Sequence, residues 1–125
     1  MKKTVVSDKA PAPIGPYSQA ILAGNTLYVS GQIALNQATG LVVNADIEGE
    51  TNQVMQNLKH ILAEAGAGFS NVVKCTIFVK DLNNFARINE VYGSYFDAYP
   101  PARETVEVSR LPKDVNVEIS CIAVL

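Results

Sequence analysis

The sequence predicts an α+β domain, a mixed and mostly antiparallel sheet with two helices packed on one face. Three observations predict it. Apolar, strand-like runs occur near both ends of the chain and again at its middle. Two segments, starting at Asp46 and at Phe85, switch to apolar residues at three- and four-residue steps. The resulting order is strands, helix, strand, helix, strands, with no internal repeat. A chain of 125 residues is one domain, 1–125, large enough to bury a core without covalent staples.

Lys3 to Ser7 reads as a short edge strand. Asp8 to Gly15 is stiff coil, because Pro11 and Pro13, with Pro16 just beyond, cannot donate to a ladder. Ala20 to Ala23 and Leu27 to Val29 flank Gly24-Asn25, a dipeptide suited to positive φ, and read as a hairpin. Gly31 permits a close backbone approach, and Ala38-Thr39-Gly40 is another turn. Asp46 is the expected N-cap of a helix whose stripe is Ile47, Thr51, Val54, Leu58, Ile61, Leu62 and Ala65, and Gly66 stops it. Val72 to Val79 is a β-branched strand, followed by Asp81-Leu82-Asn83-Asn84 as turn and cap. Phe85, Ile88, Tyr92, Tyr95 and Phe96 mark the second helix, ended by Tyr99-Pro100-Pro101.

The last fifth of the chain reads as two strands joined by a turn at Ser109 to Asp114, where Pro112 lacks a ladder donor. Side-chain alternation gives Arg103, Thr105 and Glu107 one face, and Asn116, Glu118, Ser120 and Ile122 one face. With Val108 paired to Val115, Thr105 falls opposite Glu118 and Arg103 opposite Ser120, so a guanidinium, a hydroxyl and a carboxylate converge. That patch suits a ligand bearing a carboxylate, which an arginine fork grips bidentately. On composition alone the stronger reading of Arg103 is a structural ion pair with Glu104, Glu107 or Glu118.

Composition removes other chemistries. A net charge of -2 offers no concentrated basic surface for nucleic acid. His60 is the sole histidine, so one chain cannot build a histidine metal cluster or a Ser-His-Asp relay. Cys75 and Cys121 lack zinc-site spacing and read as small buried hydrophobes. Gly15, Gly24 and Gly31 do not form a phosphate loop. No apolar segment follows Lys2-Lys3 and no run reaches membrane-spanning length, so a reducing, cytoplasmic compartment is expected, with organellar targeting left open. Charged residues are only 18%, and Val72 to Val79 is apolar on nearly both faces. Both features predict a homo-oligomer, preferably a closed ring, covering the sheet face the helices leave bare.

Gly15-Pro16-Tyr17-Ser18-Gln19-Ala20, Ser30-Gly31-Gln32-Ile33, Ala65-Gly66, Asn89 with Tyr92 and Phe96, Pro101-Ala102-Arg103, Leu111-Pro112 and Val117-Glu118-Ile119 occur in this order along the chain. As a set they resemble the signature of the RidA (YjgF-type) reactive intermediate deaminase family. The resemblance implies a chorismate-mutase-like fold, a barrel-like homotrimer and clefts between adjacent subunits. It also implies cofactor-free hydrolysis of 2-enamine and 2-imine acids, such as 2-aminoacrylate and 2-iminopropanoate, to 2-oxo acids and ammonia. Arg103 would hold the substrate carboxylate near the Gly31 backbone, and Glu118 would activate water. Tyr17 would cover the substrate, with Ser30, Asn89 and Thr105 lining the pocket. Neither metal nor membrane is implied.

The chain departs from the family pattern at three places. Thr105 stands where cysteine is common, so no step can use a thiol there, although a hydroxyl still hydrogen-bonds water. Glu50 replaces a frequent glutamine and Ser120 a frequent glutamate. Two other functions stay open: a non-catalytic trimeric binder of small carboxylates, and a ribonuclease or translation inhibitor, against which the acidic balance weighs.

Overall fold

Six strands and two helices build the chain: β1 (Lys2–Val5), β2 (Ala20–Ala23), β3 (Thr26–Gln32), α1 (Ile47–Glu64), β4 (Val72–Val79), α2 (Phe85–Gly93), β5 (Ala102–Glu107) and β6 (Val117–Val124). The computed structural model describes residues 1–125, and its strands form one sheet in the order β1-β2-β3-β6-β4-β5. Only β4 and β5 run parallel; the other neighbours are antiparallel. The mixed sheet with two packed helices matches the expected class. No helix is long and apolar enough to cross a membrane.

Local chemistry sets the early elements. Gly24 takes φ 63° in the two-residue loop between Ala23 and Thr26, the conformation an L side chain avoids, and so closes the β2–β3 hairpin. Asp46 caps α1 by accepting a hydrogen bond from the Gly49 amide at 2.6 Å. Of its predicted stripe, Ile47, Thr51, Val54, Leu58, Ile61 and Leu62 are buried against the sheet. Each large apolar side chain there stabilises the fold by roughly 1.5–3 kcal/mol. Gly66, at φ 77°, follows the last turn.

The predicted β5–β6 hairpin does not form. β4 lies between the two strands: Val108 N donates to Val79 O at 2.8 Å, and Lys80 N donates to Asn116 O at 3.0 Å. The connection instead carries the chain past the end of β4, through a short turn at Pro112–Asp114 in which Lys113 and Asp114 have φ 55° and 54°. Arg103 therefore pairs with Cys75 rather than Ser120, and Thr105 with Ile77 rather than Glu118. Helix α2 also stops earlier than its apolar spacing suggests. It ends at Gly93, and Ser94 Oγ donates back to Val91 O at 2.6 Å. Tyr95 and Phe96 lie beyond the helix, packed against Phe69 in a tilted and an edge-on arrangement, with centroids 5.2 and 5.4 Å away respectively.

One sheet face carries Leu27, Ile77, Ile119 and Ala123, all inaccessible beneath the helices. The other presents Tyr28, Val106 and Val124, each more than a third exposed. In a single chain that second face is uncovered.

Candidate active site

Two separate clusters of the predicted residues emerge. The first is a cleft of about 380 Å³ whose walls include Tyr17, Ser30, Gly31, Ile33, Pro112 and Glu118. Its rim is the proline-rich segment before β2, which has few donors of its own. Gln19 secures it: its buried Nε2 donates to Pro11 O (2.8 Å), Ser7 O (3.1 Å) and Ala10 O (3.3 Å), while its Oε1 accepts from Ser7 N (2.7 Å). Ser30 Oγ donates to Ser18 O at 2.6 Å, joining the rim to β3. From the helix side, Asn57 Nδ2 donates to Ile33 O (3.0 Å) and Leu35 O (2.9 Å) and fixes the apolar wall. Tyr17 is half exposed, and its phenol accepts a long hydrogen bond from Ile14 N at 3.4 Å.

Glu118 projects into this cleft across a bulge in the β3–β6 pairing between Val29 and Gln32. The bulge brings Gly31 beneath it. A Cβ on Gly31 would lie 2.5 Å from Glu118 Oε2 and 2.9 Å from its Cδ, so the expected close approach is real and concerns the carboxylate itself. Burial pushes the Glu118 carboxyl up from its ordinary value. It belongs to none of the chain's ion pairs, which join Lys74 to Glu104, Lys80 to Asp114 and Arg87 to Glu48. Its strand is anchored two residues earlier by Glu50, a fully buried carboxylate that accepts from Asn116 N (2.7 Å), Asn116 Nδ2 (2.8 Å) and Val117 N (3.2 Å).

Gly31→Ala should leave the fold intact, because the atoms it meets end a flexible side chain, but swing the carboxyl away. The expected result is a loss of about 10- to 100-fold in turnover with a small drop in melting temperature; an unchanged turnover would show that this carboxylate position is unimportant.

The second cluster is a shallow recess at the β5 edge, lined by Leu82, Phe85, Arg103 and Thr105. Arg103 Nη1 donates to Asn89 Oδ1 at 2.6 Å, and its Cζ sits 5.5 Å from the Phe85 ring centroid and 5.1 Å from that of Tyr92. No carboxylate neutralises it. Glu104 instead pairs with Lys74 at 3.1 Å and accepts from Thr76, and Glu107 accepts from Leu82 N. The structural ion pair favoured by composition is absent, and a half-buried guanidinium is left with free donors. Thr105 Oγ1, beside it, is buried with no hydrogen-bond partner.

Within one chain these clusters do not meet. Directly paired residues share a sheet face, so Arg103 lies with Cys75 and Cys121, on the helix side, whereas Glu118 lies with Phe78 and Val106 on the uncovered side. The convergence expected from the hairpin register is thus corrected. Cys75 and Cys121 are directly paired, free and buried; burial raises both thiols above their ordinary range, which suits inert core residues. His60 is partly buried on α1, in neither cluster.

Some contributing residues were not singled out as site residues from sequence. Phe85 and Tyr92 read as stripe residues, yet their spacing with Asn89, i, i+4 and i+7, already places all three on one helix face. Gln19 had a weaker signal, a lone amide next to a segment of donor-poor prolines. Nothing local in sequence points to the Glu50 clamp.

Residues 7–125 match the family model described as Endoribonuclease L-PSP. A RutC family protein of Pyrococcus abyssi is 54% identical over 122 residues, covering 98% of this chain and 96% of the relative. Reactive Intermediate Deaminase A, chloroplastic, of Arabidopsis thaliana is 48% identical, covering 100% of this chain and 67% of that protein. The crystal structure of E. coli TdcF with bound serine superposes with a TM-score of 0.95 at 42% identity, over 98% of each chain.

Proposed function

We propose that this chain, which belongs to the RidA/YjgF family, hydrolyses reactive 2-enamine and 2-imine acids to 2-oxo acids and ammonia, with no cofactor. The observation that carries the proposal is Arg103, a half-buried cation with no anionic partner, its fork open beside an unsatisfied hydroxyl. A small carboxylate supplies the missing charge. Serine bound in E. coli TdcF is a ligand of that size and kind.

Because Arg103 and Glu118 occupy opposite sheet faces, the working cleft needs two copies of the chain, one giving the Arg103 recess and the next the Glu118 cleft. A chorismate-mutase-like ring of three, closed over the uncovered sheet face, supplies three such clefts. Within each, Arg103 anchors the carboxylate, helped by Asn89 and Thr105. Tyr17 and Ser30 enclose the reacting carbon, and Gly31 lets Glu118 come close.

The chemistry balances with water alone. A proton added to the terminal carbon of 2-aminoacrylate gives the imine tautomer, protonated at nitrogen as the electrophilic iminium. Water adds to C2 as Glu118 accepts its first proton, that proton passes to nitrogen as ammonia leaves, and the remaining hydroxyl proton goes to the freed Glu118 carboxylate, giving pyruvate and replacing the proton first added to carbon. Glu118 serves as base and then acid, a role that a carboxyl with a raised proton affinity performs nearer neutral pH. The substrate is intrinsically reactive, so orientation and one acid/base group suffice. The reducing cytoplasm is the proposed setting.

The test is to generate 2-aminoacrylate in a coupled amino-acid deaminating system and follow decay of the imine together with release of pyruvate and ammonia. The expected result is faster release with the protein than without it. Binding of 2-oxo acid without acceleration would instead identify a carboxylate-binding protein. RNA cleavage that persists through repurification and survives Arg103→Ala would favour a separate nuclease activity.

A further inference from the structure

We propose that Tyr92, with Phe85 as its counterpart, is a positioning residue that aims the Arg103 fork and so sets affinity for the substrate carboxylate. This rests on the reading of Arg103 as the carboxylate anchor.

Arg103 stands on an edge strand, with no further strand beyond β5 to confine its long side chain. Three residues of one α2 face confine it instead. The Phe85 and Tyr92 centroids lie 5.5 and 5.1 Å from Cζ, within cation–π range, and Asn89 holds one Nη at 2.6 Å. An aspartate or glutamate at either ring position would also hold the cation, but would neutralise it. Aromatic faces restrain the guanidinium while leaving its full charge and most of its N–H donors for an incoming anion. Ordering the fork beforehand removes an entropy cost from binding.

Tyr92 differs from Phe85 in that it lines neither the recess nor the cleft. It is 5% exposed, beneath Arg103, and so acts on a ligand only through that residue. Its hydroxyl has no hydrogen-bond partner, and it neighbours the Cys75 thiol. Burial raises the phenol well beyond its ordinary value, so the ring stays neutral over the working range. The ring, rather than the hydroxyl, is the operative group.

The experiment titrates 2-oxobutanoate calorimetrically into wild type, Tyr92→Phe, Tyr92→Leu and Phe85→Leu, and measures KM and kcat for imine hydrolysis alongside. Tyr92→Phe should bind within about twofold of wild type, and both leucine variants about tenfold more weakly. The loss should appear in KM, with kcat changed less than about threefold. Should Tyr92→Leu fail to fold, Tyr92→Met, which fills more of the buried space without an aromatic face, decides, and the same tenfold loss is expected of it. Wild-type affinity in Phe85→Leu, a Tyr92→Phe loss matching that of Tyr92→Leu, or a loss confined to kcat would overturn the proposal. If wild type binds the 2-oxo acid and the variants follow the expected order, yet no imine is hydrolysed, the enzymatic reading falls and the clamp stands. If wild type binds no 2-oxo acid, the clamp has no anion to serve and is overturned.

Discussion

Replacing Arg103 by alanine is expected to lower kcat/KM for imine hydrolysis by about 10²- to 10³-fold, the loss of a charge-assisted fork from a partly desolvated site. Stability should hardly change. Arg103 belongs to no ion pair, so its removal strands no buried countercharge, and Asn89 Oδ1 loses one donor at a partly accessible position. Both expectations are checked together, by steady-state kinetics and by melting with light scattering on the same preparation. Arg103→Lys provides the graded control: it keeps the charge and gives up the planar fork, so its loss should lie between wild type and alanine. Wild-type kinetics in a folded Arg103→Ala protein would end the anchoring role. A loss explained by unfolding or dissociation would move Arg103 from the site to the scaffold.

The helices and the first hairpin were legible because their signals are local. Asp46 and Gly66 bracket one apolar stripe, and Gly24-Asn25 can close only a tight turn. The partner of β5 was not local. A six-residue turn between two strand-like runs suggests a hairpin, but the run Val72 to Val79 is apolar on nearly both sides and belongs in the interior of a sheet, whereas Ala102-Arg103-Glu104-Thr105-Val106-Glu107 carries three charges and belongs at an edge. Weighing those two facts places β4 between β5 and β6, as found. The consequence reaches the site. Arg103, Glu118, Tyr17, Ser30, Asn89 and Thr105 each line a cluster or hold its residues, but the alternation that put Arg103 and Glu118 together in a hairpin puts them on opposite faces once β4 intervenes. On the proposed reading, one chain's sequence then encodes two halves of a cleft. What the sequence says least about is support: Glu50 pins the start of β6 through contacts 66 and 67 residues away.

Glu118→Gln should cost about 10²- to 10⁴-fold in kcat, the span for removing a positioned acid/base group, with binding of 2-oxobutanoate retained. The pH profile carries a sign. Burial raises the Glu118 carboxyl, so the acid limb of kcat/KM in wild type should lie above the range of an exposed glutamate and vanish in the variant. Stability follows from the same shift. The native state holds this proton more tightly than the unfolded chain, so wild-type stability falls as pH rises from the unfolded to the folded value and stays penalised above it. Neutral glutamine removes that penalty. Glu118→Gln should therefore melt at or above wild type at neutral pH, the difference disappearing in acid. Co-assembly then tests where the two halves come from. If the proposed ring of three forms, unfolding Arg103→Ala and Glu118→Gln proteins together and refolding them should give every mixed ring one cleft with both wild-type residues. Random assembly from equal amounts makes about three quarters of the rings mixed, so about a quarter of wild-type activity should return from two nearly inactive parents. If Arg103 and Glu118 served a site within one chain, every subunit would carry one defect and no activity would return, whatever the assembly.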